Sequence, residues 1–243
     1  MKNRVGEKFT TNEGYLVEVV TYTAYLDIDI KFEDGHVVKV AYDSLKKGTI
    51  KNYNHPSVYN IGFIGIGKHK AKINGKLSKS YMTWSHMLQR CYSKKYQEKQ
   101  PTYKGCTVDK RWYNFQVFAE WYENNYIEDF HLDKDILFKE NKIYSPENCC
   151  FVSQEVNNLF TKRKVYRGEY LIGVYFDKRI NKFKAVCNVN GESNYIGVFC
   201  SEIEAFKAYK TVKEQTAKKL ALDYKDMPHI YQALINYQVE ITD

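Results

Sequence analysis

The chain changes hydrophobic period twice, and that alternation limits its fold more than any single motif does. Leu26-Asp-Ile-Asp-Ile-Lys-Phe alternates apolar and polar residues with period two. Tyr15-Leu-Val-Glu-Val-Val and His36-Val-Val-Lys-Val-Ala-Tyr are β-branched or aromatic runs on either side of it. Glu33-Asp-Gly35 joins the second and third runs as a tight turn. From Tyr81 the period becomes helical: apolar residues at 81, 84, 87, 88 and 91 share one face, and Trp112, Phe115, Phe118, Trp121 and Tyr122 repeat the spacing. Strand-like runs return at Gly173–Ile180, Lys182–Val189 and Ser193–Phe199, with Asn190-Gly191 as a hairpin turn. A helix then opens at Ser201, whose spacing to Glu204 is that of a capping box. Strand runs at both ends and helices between them predict an α+β chain of three units. These are a small β-barrel-like module over 1–66, a central unit over 67–160, and a three-stranded antiparallel sheet plus helix over 161–243, closed by a helix carrying Tyr231, Leu234 and Ile235.

Charge follows the same divisions. Residues 1–66 carry eight cations and eight anions, 67–115 twelve and two, 116–160 three and nine, and 161–243 fourteen and ten. A segment of net +10 running into one of net −6 fits a basic part that holds a polyanion and an acidic part that holds a metal working on it. A solvated charged surface is the plainer alternative. Five lysines between Gly67 and Ser80, among them Lys68, Lys70 and Lys72, are placed to follow a phosphate backbone. Such contacts add affinity but read no sequence. Six cysteines without a Cys-x-x-Cys pair predict buried thiols, with no zinc. No apolar run is long enough to span a bilayer, and the polar start lacks a secretory signal, so an intracellular, cytoplasmic protein with no membrane partner is expected.

The acidic stretch His131-Leu-Asp-Lys-Asp-Ile reads as a short strand, followed by a loop and a short helix opened by Ser145-Pro146-Glu147. Asp133 on the strand and Asn148 on the helix supply the hard oxygens that magnesium or manganese prefers, and Asn141 is placed to brace the loop. His131 lies two residues before Asp133, on the same strand face. Leu132-Asp-Lys-Asp-Ile, Asn141 and Asn148-Cys-Cys-Phe-Val-Ser-Gln-Glu-Val-Asn-Asn158 resemble the ββα-metal motif of the HNH homing-type endonucleases of phages. That resemblance implies metal-dependent cleavage of duplex DNA, with Asp133 and Asn148 as metal ligands and Lys134 at the position of the general base.

The family carries histidine where this chain has Lys134. A lysine accepts a proton at neutral pH only where burial or nearby positive charge favours its neutral form, and Asp133 and Asp135 on either side favour the ammonium. Three roles stay open. Lys134 is a tuned base; or it neutralises phosphate while water or His131, with Asp135 beside them, handles the proton; or the site no longer cuts and the protein only binds DNA.

Gly173-Val174, Lys182-Phe-Lys-Ala185, Tyr195-Ile-Gly-Val-Phe199, Glu204-Ala205 and Ala208-Tyr209 resemble the APETALA-type integrase-like DNA-binding domain. Tyr175, Lys178, Arg179, Lys182 and Lys184 then form a basic sheet face suited to the major groove, preceded by a basic linker with Arg163, Lys164 and Arg167. The basic segments do not separate DNA from RNA, and the oligomeric state is not encoded in any pattern read here.

Overall fold

The computed structural model describes residues 4–160, 169–189 and 192–243. The architecture is mixed α+β, built from several small sheets and seven α-helices among the described residues. At the N-terminus, β1 (Lys8–Thr10), β2 (Leu16–Ala24), β3 (Asp27–Phe32) and β4 (Val37–Val40) form an antiparallel meander in sequence order. The period-two run does what alternation dictates: Ile28, Ile30 and Phe32 are buried with Val17, Val19 and Leu45, the last from the short α1 (Tyr42–Lys46). Gly35 takes φ +85°, the left-handed conformation the turn requires. Among the described residues the expected barrel-like closure is absent. The sheet ends at β1 and β4, strands of three and four residues that are too short to wrap around and meet.

Residues 58–65 belong with the central unit. Phe63 exchanges backbone hydrogen bonds with Tyr113 and Phe115, each 2.9 Å, and Val58, Ile61 and Ile64 pack on the central core. The lysine-rich stretch between Gly67 and Ser80 carries a two-residue ladder, β5 (Lys72–Ile73) with β6 (Lys76–Leu77), turned by Asn74 and Gly75 at positive φ. Ser78 caps α2 (Lys79–Tyr92) by accepting the Tyr81 N–H. After α3 (Lys94–Lys99) and β7 (Thr107–Val108), the second aromatic stripe is split. Lys110–Tyr113 form one 3-10 turn, Asn114 caps the next element, and α4 spans Phe115–Asn125. Trp84, Trp112, Phe115 and Phe118 are fully enclosed between α2 and α4, and the Trp84 indole donates to the Trp112 carbonyl at 2.7 Å.

The acidic stretch supplies β8 (His131–Asp133), β9 (Ile143–Tyr144, parallel to β7) and β10 (Cys150–Val152), followed by α5 (Gln154–Phe160). In the C-terminal unit, β11 (Val174–Asp177), β12 (Lys182–Val189) and β13 (Glu192–Phe199) form an antiparallel sheet backed by α6 (Glu202–Ala221). The Ser201–Glu204 capping box is formed in both directions. Asn190-Gly191, expected as the turn, lies outside the described residues, as do Arg163, Lys164 and Arg167. Only the first half of α6 serves its own sheet. Ala217, Leu220 and Ala221 near its end, with Ile230 and Leu234 of α7 (Pro228–Ile235), share a core with Ile136, Val152, Val156 and Leu159. The units expected on either side of residue 160 are therefore joined by common apolar burial.

Candidate functional site

β8 and β10 pair antiparallel, with Asp133 opposite Cys150, Leu132 opposite Phe151 and His131 opposite Val152. Phe151 is buried against Trp121 and Tyr122 of α4 while Val152 enters the core shared with α6 and α7, so apolar contacts on both sides fix the hairpin. Between the strands, residues 134–149 loop out and are cross-tied by polar side chains. The Asp133 carboxylate accepts the N–H groups of Asp135 (2.7 Å) and Ile136 (2.9 Å). The Asn141 amide donates to the carbonyls of Lys134 and Ile143, both 2.8 Å, and its oxygen accepts the Ile143 N–H at 3.0 Å. Arg111 grips Glu147 with two parallel hydrogen bonds of 2.7 and 2.8 Å, which holds the Glu147 carboxyl down at about 2.

Asn148 is not on a helix. Ser145-Pro146-Glu147 looks like a helix start, but Ser145 is buried and its carbonyl closes a turn onto Asn148 and Cys149. The chain then enters β10. The Asn148 amide donates to the Asn141 oxygen at 3.4 Å, which ties it into the loop brace. The helix that follows the hairpin is α5, capped by Ser153, whose hydroxyl accepts the Val156 N–H at 3.2 Å. Its asparagines are Asn157, half-buried beside the core residue Val156, and Asn158, exposed and accepting from Gln154 at 2.9 Å.

Lys134 is 5% exposed. Its ammonium donates to the Asp135 carboxylate and to the Asn141 carbonyl (2.8 Å) and lies 5.7 Å from the centre of the Tyr144 ring. That is the geometry of a brace holding the loop from inside; a general base needs a free lone pair directed at water. His131 is exposed on β8, and Asp135 is exposed at its carboxylate but engaged by Lys134. Asp133 is half-buried, and burial raises its carboxyl above the usual range against the lowering effect of its two backbone hydrogen bonds. An ionised oxygen donor held at such a cost gains from a cation at its free side. A carboxylate is a hard oxygen donor of the kind magnesium accepts, with substrate phosphate and water completing the shell. Cys149 is buried and Cys150 half-buried; burial pushes the Cys149 thiol up and the Cys150 thiol to about 12, which favours the protonated forms.

On the C-terminal sheet, Tyr175 lies opposite Lys184 and Asp177 opposite Lys182, so all four share the face turned away from α6. Tyr175, Lys178, Arg179 and Lys182 are exposed. In the β5–β6 segment, Lys70 and Lys72 are exposed, whereas Lys68 is paired with Glu120 at 3.0 Å.

One group was missed from the sequence. His69, 7% exposed at its side chain, places its two ring nitrogens against Glu120 (2.9 Å) and Glu123 (3.0 Å) of α4. Among the described residues it is the one His/Cys/Asp/Glu group of three whose ligand atoms, one from each residue, all lie within 4.8 Å of one another, and it could hold a metal ion. Each carboxylate takes a different ring nitrogen, and Lys68 shares Glu120, an arrangement that also serves to clamp the lysine-rich segment onto α4. Glu120 and Glu123 show the i,i+3 spacing of one helix face, but nothing local links them to a histidine 51 residues earlier. No helix among the described residues is long and apolar enough to cross a membrane. Comparison with family models, with curated proteins and with solved structures finds no match to this chain.

Proposed function

We propose that this protein is a DNA endonuclease-like hydrolase that cleaves phosphodiester bonds of duplex DNA with magnesium or manganese. The observation that carries the reading is the β8–β10 hairpin running directly into α5, with the half-buried, desolvated carboxylate of Asp133 at the end of the first strand. When bound, the divalent ion would polarise the scissile phosphate and stabilise charge on the leaving oxygen. Asp133 would hold it, with substrate phosphate and water completing its oxygen shell. Asn141, Asn148 and Lys134 keep the loop in shape. His131, exposed two residues from Asp133 on the same strand, is the group placed to take a proton from attacking water. Lys182 and Lys184 on the sheet, Arg179 in the turn between β11 and β12, Lys70 just before β5 and Lys72 on it would follow the DNA backbone.

A second reading, a DNA-binding protein that no longer cuts, is favoured by one fact: the residue in the base position spends its charge inside the loop. Incubation with plasmid DNA and either metal separates the two. Cleavage by the wild-type protein, lost in Asp133→Asn and reduced at least a hundredfold in His131→Gln, is the result the first reading expects. Retarded but uncut duplex across many substrates establishes the second. Selective retention of RNA over duplex DNA in a competition assay would reject both.

Lys134→Met tests the brace separately. It keeps the length of the side chain and removes the ammonium, which leaves the Asn141 carbonyl without its donor. A loss of about 1–3 kcal/mol in chemical denaturation is expected, with any cleavage retained in proportion to folded protein. Loss of cleavage by orders of magnitude at unchanged stability would restore lysine as the base.

A further inference from the structure

The basic face of the C-terminal sheet contains its own anion. Asp177, at the end of β11, is 10% exposed at its side chain. Its carboxylate is ion-paired with Lys184 on β12 and with the Arg179 guanidinium at 3.2 Å, and it also accepts the Arg179 backbone N–H at 3.0 Å. The Arg179 and Lys184 hydrogen bonds hold its carboxyl well below the usual range, so it stays charged at any physiological pH. Arg179 itself is 85% exposed and reaches back over the turn to make this contact. The Arg179 and Lys184 cations are thus already closed around a carboxylate, next to the exposed ring of Tyr175, which lies opposite Lys184.

We propose that Asp177 is a specificity-determining residue: an internal competitor that occupies, between Arg179 and Lys184, the place of a nucleic-acid phosphate. The inference rests on the DNA-binding part of the reading above and is independent of cleavage. A phosphate approaching this face must displace the carboxylate or accept a like charge a few ångströms away. Sequence-independent backbone binding is thereby weakened, and only a site that also engages Tyr175, Lys182 or the base edges recovers the loss. Lys182, directly opposite Asp177 in the register, forms no ion pair among the described residues, nor does the exposed Lys178 beside it, and both remain free to make first contact.

The test is equilibrium binding of the full chain to a short duplex of random sequence, followed by fluorescence anisotropy at several salt concentrations. Asp177→Asn keeps an oxygen to accept the Arg179 N–H and removes the charge. It is expected to bind roughly three- to tenfold more tightly than wild type, with a log–log salt slope steeper by about one. Adding Lys184→Gln to Asp177→Asn should cancel most of that gain. Unchanged or weaker binding by Asp177→Asn, a gain that survives Lys184→Gln, or no binding by any of the proteins overturns the proposal. The metal-dependent cleavage assay with Asp133→Asn is read separately, so failure here leaves that result standing. Should Asp177→Asn fail to fold, Asp177→Ser, which retains a turn-capping oxygen, is judged by the same outcomes.

Discussion

Replacing Asp133 with asparagine is expected to stabilise the metal-free protein and, at the same time, to abolish its response to divalent metal and lower cleavage on the order of a thousandfold. The two effects share one cause. Burial raises the Asp133 carboxyl, so ionising it costs more in the folded protein than in the unfolded chain. The sign follows from linkage. The contribution of this group is fully present below the ordinary carboxylate pKa and is lost as pH rises through the raised value, so at neutral pH the ionised form opposes folding. Asparagine is uncharged, nearly the same shape, and still offers the oxygen that accepts the Asp135 and Ile136 N–H groups. It removes the cost of the buried charge and with it the charge that would hold a cation, the usual conflict between stability and function at a site. Thermal melts in chelator and in excess magnesium, from pH 5 to pH 8, check this. Wild type should melt higher with metal, by an amount that grows with pH; the variant should melt higher than wild type in chelator and ignore the metal. A variant that is destabilised in chelator, or that gains as much from magnesium as wild type, would remove Asp133 from the metal site.

How far the site was readable from sequence depends on which kind of interaction fixes each part. The strands around Ile28 and Ile30 and the capping box at Ser201 are local patterns, and folding adds little to what the residues already specify. The strand opposite Asp133 was not legible: Cys150–Val152 fall where a helix opened at Ser145 was expected, and burial of Phe151 against Trp121 and Tyr122 of α4 decides for a strand. Nor was the position of the site helix. Ser145-Pro146-Glu147 and Ser153-Gln-Glu-Val both carry helix-start chemistry, and the choice fell to burial of Tyr144 and Ser145, which commits the first to a turn. The direction of Lys134 was equally hidden: it follows the last paired residue of β8, where strand alternation no longer assigns a face, and the Asn141 carbonyl seven residues on decides where its ammonium goes. His69 with Glu120 and Glu123, and the core that α5 shares with α6 and α7, are long-range contacts with no local signature.

Gly173→Ala should be the most damaging small substitution in the C-terminal unit, costing about 2–5 kcal/mol. Gly173 precedes β11 at φ +75°, where an L side chain pays about 1–2 kcal/mol, and its carbonyl accepts the Val186 N–H at 2.9 Å, which ties the backbone to β12. A Cβ there would overlap the ring of Tyr209, buried on α6, and neither partner can yield: the ring is fixed in the core with Val174, Ala185 and Phe206, and the backbone by the ladder. Relieving such an overlap typically costs a further 1–3 kcal/mol. Gly75→Ala supplies the comparison, since Gly75 has a similar φ of +79° and open space around it; it should lose only the backbone component. Chemical denaturation of Gly173→Ala, Tyr209→Leu and the double variant isolates the collision. The double variant should be more stable than the sum of the single losses predicts, by about 1–3 kcal/mol, because trimming the ring opens the space the methyl needs. Strict additivity, or equal losses at Gly173 and Gly75, would mean that α6 stands farther from β11 than this contact requires. The basic face would then lose part of the backing that keeps Asp177, Lys182 and Lys184 in register, because Tyr209 packs with Ala205 and Phe206 of α6 on the opposite face of that sheet.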